Sequence, residues 1–99
     1  MAVLQERMSK KALRLHPEDN CVVSLIDIHK GDLVVYEDGT IMANSDVDIG
    51  HKISISTIKI GEKVYKYGAS IGSATALIEP GDHIHTQNLT SDYIVGFRH

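Results

Sequence analysis

From Leu13 onward, short apolar runs are broken by turn-forming residues every several positions, a rhythm of strands rather than helices. A glycine followed by an acid and then an apolar alternation recurs in Lys30-Gly31-Asp32-Leu33-Val34, Ile60-Gly61-Glu62-Lys63-Val64 and Pro80-Gly81-Asp82-His83-Ile84. Each predicts a tight turn opening a strand. The unequal intervals between them argue against a sequence repeat. Glu37-Asp38-Gly39-Thr40 predicts a hairpin joining Leu33 to Tyr36 with Thr40 to Ala43, with Asp-Gly as its turn. Isoleucines at 53, 55, 58 and 60 break period two once, so a bulge or turn at Ser56-Thr57 would bring all four inward. The stretch from Gly68 to Ala76 is almost entirely small residues, which permits close approach by another chain or a ligand. Ala2 to Ala12 alone has helical character, and it reads equally as a frayed end.

Composition sharpens this to an all-β domain. The chain has 99 residues, 42% of them hydrophobic but only 5% aromatic, so the core must be aliphatic. Its many Ile and Val side chains pack well on a pleated surface. One domain is expected, with residues 1–12 as an N-terminal segment and 13–99 as the folded unit. The formal net charge of -3, with both signs interspersed, leaves no basic stripe for nucleic acid. The one cysteine, Cys21, opens an apolar run and reads as a core residue. Without a signal-peptide pattern at the start or an apolar run of ~20 residues, the expectation is a soluble, cytoplasmic protein. Exposed sheet edges make homo-oligomers a further expectation.

Candidate chemistry lies in the histidines. His83 and His85, one residue apart in a predicted strand, project to one face with Gln87 and can share a divalent metal or divide proton transfer and positioning. Spacing alone favours the plainer reading, two solvent-facing histidines on an edge strand. Gly50-His51-Lys52 sets an imidazole and an ammonium at a strand entry, where Lys52 is a natural anchor for a carboxylate or an ordinary solvated lysine. Lys66 and Tyr67 add a cation and a phenol, and Tyr67 reads equally as a half-buried strand aromatic. Asn44, Asp46, Asp48 and Gly50 lack the register of a calcium loop, because Ile55 falls where the bidentate acid belongs. His16, His29 and His99 read as surface residues.

Five segments in order carry a family resemblance: Leu13-Arg14-Leu15-His16-Pro17-Glu18-Asp19-Asn20, Gly50-His51-Lys52-Ile53, Ile60 to Gly68, Ile71-Gly72-Ser73-Ala74-Thr75, and Gly81-Asp82-His83-Ile84-His85-Thr86-Gln87-Asn88. Together they resemble the SAF-type module of the altronate and galactarate dehydratase family. The resemblance implies a compact β-clip-like fold. Because the chain stops at His99, it also implies a separate small subunit acting with a large catalytic subunit. The implied reaction is dehydration of a sugar acid to a 2-keto-3-deoxy acid with a divalent metal, expected to be Fe2+. The implied site has His83 and His85 as metal ligands or acid/base groups, with His51 counted among the catalytic residues. His51, Lys52 and Lys66 would hold the anionic end of the substrate, and Tyr67 and Asn88 its hydroxyls. A non-catalytic carbohydrate-binding or assembly module, and the small subunit of a sulfolactate sulfo-lyase, are the alternatives.

Overall fold

The computed structural model describes residues 10–92. They contain nine strands: β1 (Ala12–Leu13), β2 (Cys21–Ser24), β3 (Leu33–Tyr36), β4 (Gly39–Met42), β5 (Lys52–Ser54), β6 (Lys63–Lys66), β7 (Ala69–Ala74), β8 (His83–Ile84) and β9 (Leu89–Thr90). The expected all-β class is what forms, with every pairing antiparallel. A central sheet runs β1-β2-β5-β8, flanked by the β3-β4 hairpin and a β6-β7-β9 sheet. The helical reading of the N-terminal segment lies outside the described residues except at its end, where Ala12 opens β1 opposite Ser24. Among the described residues no helix is long and apolar enough to cross a membrane.

The fold is built from a tandem unit that the unequal glycine intervals concealed. Ile28 bridges Val47 in the first half, and Ile58 bridges Ile78 in the second. The backbone bonding repeats with them. Gly31 N–H donates to Ala43 C=O as Gly61 N–H does to Ala74, and Gly50 N–H donates to Ser24 C=O as Gly81 N–H does to Ser54. Four turns result, at 29–32, 48–51, 59–62 and 79–82, each closed by an N–H···O=C bond from its fourth residue to its first. Glycine stands third in each, as a type II turn requires. In three of them an acid at the fourth position accepts the first residue's N–H: Asp32 from His29, Glu62 from Lys59 and Asp82 from Glu79.

Each half encloses its own aliphatic core. Val22, Ile28, Val34, Val47 and Ile53 fill one, and Cys21, Ile58, Val64, Ile78 and Ile84 the other. Strand β2 contributes to both, Val22 to the first and Cys21 to the second, because successive side chains point to opposite faces. Cys21 is buried as expected, and burial, reinforced by Asp19, pushes its thiol up to about 11. At neutral pH it is a protonated core residue rather than a nucleophile.

Three local expectations need correction. Ile60 does not point inward: it is the second residue of the 59–62 turn and is 70% exposed. Gly39 is the first residue of β4, paired with Tyr36, so the hairpin turn is Glu37-Asp38. The Tyr36 ring lies over this glycine, and a Cβ there would meet the Tyr36 hydroxyl at 2.7 Å and push the ring aside. The close approach along the small-residue stretch is made by the chain itself, since a Cβ on Gly72 would lie 2.2 Å from the Thr90 carbonyl of β9.

Candidate functional site

Strand β8 is the edge of the central sheet, and its register with β5 sets Lys52 opposite Ile84 and Ile53 opposite His83. His51 stands one residue before β5 and His85 one residue past β8, at the end of the sheet where these two strands pair. Three imidazoles therefore meet at the sheet edge, His51 and His83 half-buried and His85 exposed. His51 Nδ1 lies 3.0 Å from His83 Nε2. The ring centroids are 5.1 to 5.5 Å apart. Sequence spacing expected His83, His85 and Gln87 along one strand. Instead β8 ends at Ile84, the chain turns at 85–88, and Gln87 folds back to donate from Nε2 to the His83 carbonyl.

The cluster fits a metal. One nitrogen from each ring lies within 4.8 Å of the other two. Two imidazoles on one first-row ion sit about 3 to 3.5 Å apart at metal–nitrogen distances of about 2.0–2.1 Å, and the closest pair already meets this. Three neutral nitrogens suit iron or zinc and leave coordination positions open. The electrostatics favour the ligating state: burial first, then the neighbouring His51 and His85 and the Lys52 ammonium, hold His83 below its ordinary pKa. A lowered imidazole pKa keeps the ring unprotonated at neutral pH.

The tandem unit explains why His51 is available. It occupies the fourth position of the 48–51 turn, where the other three turns carry an acid folded back on the backbone. Among the described residues no side chain caps Asp48 N–H. The prediction is direct: His51→Asp should leave stability unchanged or raise it by about 1 kcal/mol, because it restores one backbone cap. It should also weaken divalent-metal binding sharply. Urea unfolding beside a metal titration checks both, and a clear loss of stability would contradict the equivalence of the four turns.

The other expected site residues divide. Lys52 and His85 both line a groove of about 400 Å³, together with Thr86, Leu89, Thr90 and Ser91. No local pattern marks these hydroxyls as a group: Thr90 of β9 reaches this place through its non-local pairing with β7, Ser91 follows it, and Thr86 stands in the 85–88 turn. Lys66 and Tyr67 belong to the β6-β7 hairpin and do not line that groove. Tyr67 takes a left-handed φ of 58° in the turn, and its N–H and that of Gly68 donate to the buried Asp19 carboxylate at 3.0 and 2.8 Å. Its side chain is exposed rather than half-buried in a strand. Asn88 is half-buried, with both ends of its carboxamide on the backbone of His83 and His85.

Comparison with known proteins matches this architecture. Residues 10–92 match the model of the altronate/galactarate dehydratase SAF domain. The altronate dehydratase of Bacillus subtilis is 37% identical over 79 residues, covering 80% of this chain and 16% of that protein. The Escherichia coli altronate dehydratase is 38% identical over 76 residues, covering 77% and 15%. The (2R)-sulfolactate sulfo-lyase subunit alpha of Paracoccus pantotrophus is 39% identical over 51 residues, covering 52% of this chain and 76% of that subunit. The chain thus spans about one sixth of the altronate dehydratases and most of the length of the sulfo-lyase subunit. With that match along all of its described residues, the chain belongs to the altronate/galactarate dehydratase SAF domain family.

Proposed function

We propose that this chain supplies one wall of the active site of a hydro-lyase that dehydrates a sugar acid to a 2-keto-3-deoxy acid, the other wall belonging to a larger catalytic subunit. The observation that carries this reading is the convergence of His51, His83 and His85 at an open sheet edge, in a domain of the dehydratase family. These residues would hold a divalent metal, Fe2+ being the expected ion, which would polarise a carboxylate or hydroxyl oxygen of the substrate.

The reaction removes the C2 proton, expels the C3 hydroxyl with a proton as water, and leaves an enol that becomes the ketone. Its difficulty is the weak acidity of a C–H beside a carboxylate, so positive charge on that carboxylate lowers the barrier. The Lys52 ammonium at the wall of the groove is the anchor this chain offers. Thr86, Thr90 and Ser91 offer hydroxyls to a polyhydroxy chain in the same groove. Among the described residues no carboxylate lines the groove, so acid/base groups beyond the imidazoles would come from the partner.

The test is reconstitution. Sugar-acid dehydration is assayed with this chain, with the large dehydratase protein, and with both, by following the 2-keto-3-deoxy product. Turnover is expected only from the pair, and robust turnover by this chain alone would refute the division of labour. A second reading is favoured by the 76% coverage of the sulfo-lyase subunit, in which the leaving group is sulfite. Sulfite release from sulfolactate by the reconstituted pair, in place of dehydration, would select it.

A further inference from the structure

We infer that Asn88 is a positioning residue that fixes the spacing of His83 and His85 from behind, rather than a substrate contact. This rests on the reading of the histidine cluster as the working site.

His85 has left the β-ladder, so no strand pairing orients it. The 85–88 turn does so instead. Asn88 Oδ1 accepts the His85 N–H at 2.9 Å, while Asn88 Nδ2 donates to the His83 carbonyl at 2.8 Å. The main chain closes the same turn, with Asn88 N–H donating to the His85 carbonyl at 3.0 Å. The Asn88 carbonyl accepts from Thr75 N–H of the neighbouring segment at 2.9 Å, which ties the turn to the β7 side. One carboxamide therefore grips the backbone on both sides of Ile84, and the two grips set how far apart the flanking imidazoles stand.

The residue type is informative. Turns 29–32, 59–62 and 79–82 make the analogous clip with Asp or Glu, which can only accept. Here the side chain must also donate to a carbonyl, and an amide is the group of that size that does both. A carboxylate at 88 could still accept the His85 N–H, but its second oxygen would face the His83 carbonyl oxygen and be repelled. Gln87 Nε2 reaches the same carbonyl at 3.1 Å from an exposed side chain, so it supports the grip without replacing it.

Asn88→Asp and Asn88→Ala separate the roles. Asp keeps the clip that three other turns use, so this variant is expected to fold with a melting temperature close to the parent even if Ala does not. In the metal-free chain, NMR contacts between the His83 and His85 rings, whose centroids stand 5.5 Å apart, and exchange protection of the His85 amide report the geometry directly. The ring contacts are expected to weaken in both variants, and the amide protection to fall in Asn88→Ala. Cobalt(II) titration should show about a 10- to 100-fold loss of affinity, the range seen when groups supporting metal ligands are removed. In the reconstituted enzyme kcat should fall while the sugar-acid KM holds.

Parent-like ring contacts and cobalt affinity in Asn88→Asp would overturn the proposal, as would an effect confined to KM. If the parent chain binds no cobalt, the metal reading fails by itself, and the ring contacts still decide the role of Asn88.

Discussion

Replacing His83 and His85 together by glutamine is expected to abolish dehydration by the reconstituted enzyme while leaving the chain folded and able to bind its partner. The double variant removes two of the three nitrogens that lie within 4.8 Å of one another and leaves His51 alone. A single imidazole holds a divalent ion weakly, so affinity should drop by at least about 100-fold, more than the loss of a supporting group costs. Loss of a positioned acid/base group would by itself slow the reaction by about 10²- to 10⁴-fold. Stability should move little, since His83 is half-buried, His85 is exposed and neither belongs to the two cores. Isothermal titration with a divalent ion, co-purification with the large subunit and product formation give three separate readings. Activity that survives the double substitution would favour a carbohydrate-binding or assembly role.

Gly81→Ala should be the most destabilising of the turn-glycine substitutions. Gly81 is buried with a φ of 95°, where a side chain costs about 1–2 kcal/mol. A Cβ there would also sit 2.2 Å from the Met42 carbonyl oxygen and 3.2 Å from Asn44 Nδ2, so the backbone joining the two halves must shift. A total of about 3–4 kcal/mol is expected, a large share of the 5–15 kcal/mol typical of a small domain. Gly31→Ala and Gly61→Ala are internal controls, with similar φ and nothing within 4 Å of the added carbon. They should show the conformational cost alone, about 1–2 kcal/mol. Urea unfolding of the three variants measures the difference, and equal losses would show that the Met42 contact relaxes freely.

Much of this was legible in the sequence for reasons that can be traced. Three turns were visible because Gly-acid pairs mark them, and the aliphatic alternation after each located β3, β6 and β8. The fourth turn carries no such mark, because His51 replaces the acid. Without it the glycines fall at 31, 61 and 81, an irregular series. With Gly50 included, 31 and 50 parallel 61 and 81, and the duplication becomes plain. His83 and His85 were linked through strand periodicity, yet β8 ends between them and the Asn88 turn brings His85 back. No local pattern reports such a return. His51 joined them through the family resemblance, whereas its register with β8 depends on a pairing across more than thirty residues. Lys66 and Tyr67 show the limit of local reading, because the buried Asp19, nearly fifty positions away, fixes the turn they occupy.

The strand shared by the two halves has a consequence for how the chain matures. A unit of about thirty residues is below the size that usually folds unaided. Because β5 pairs with β2 on one side and β8 on the other, neither half can complete its sheet without the other. The histidines lie across this seam, with His51 entering β5 from the first half and His83 and His85 closing the second. Their meeting is therefore a checkpoint of assembly: a nascent or half-unravelled chain presents scattered imidazoles, and only the finished domain offers the set a partner could use.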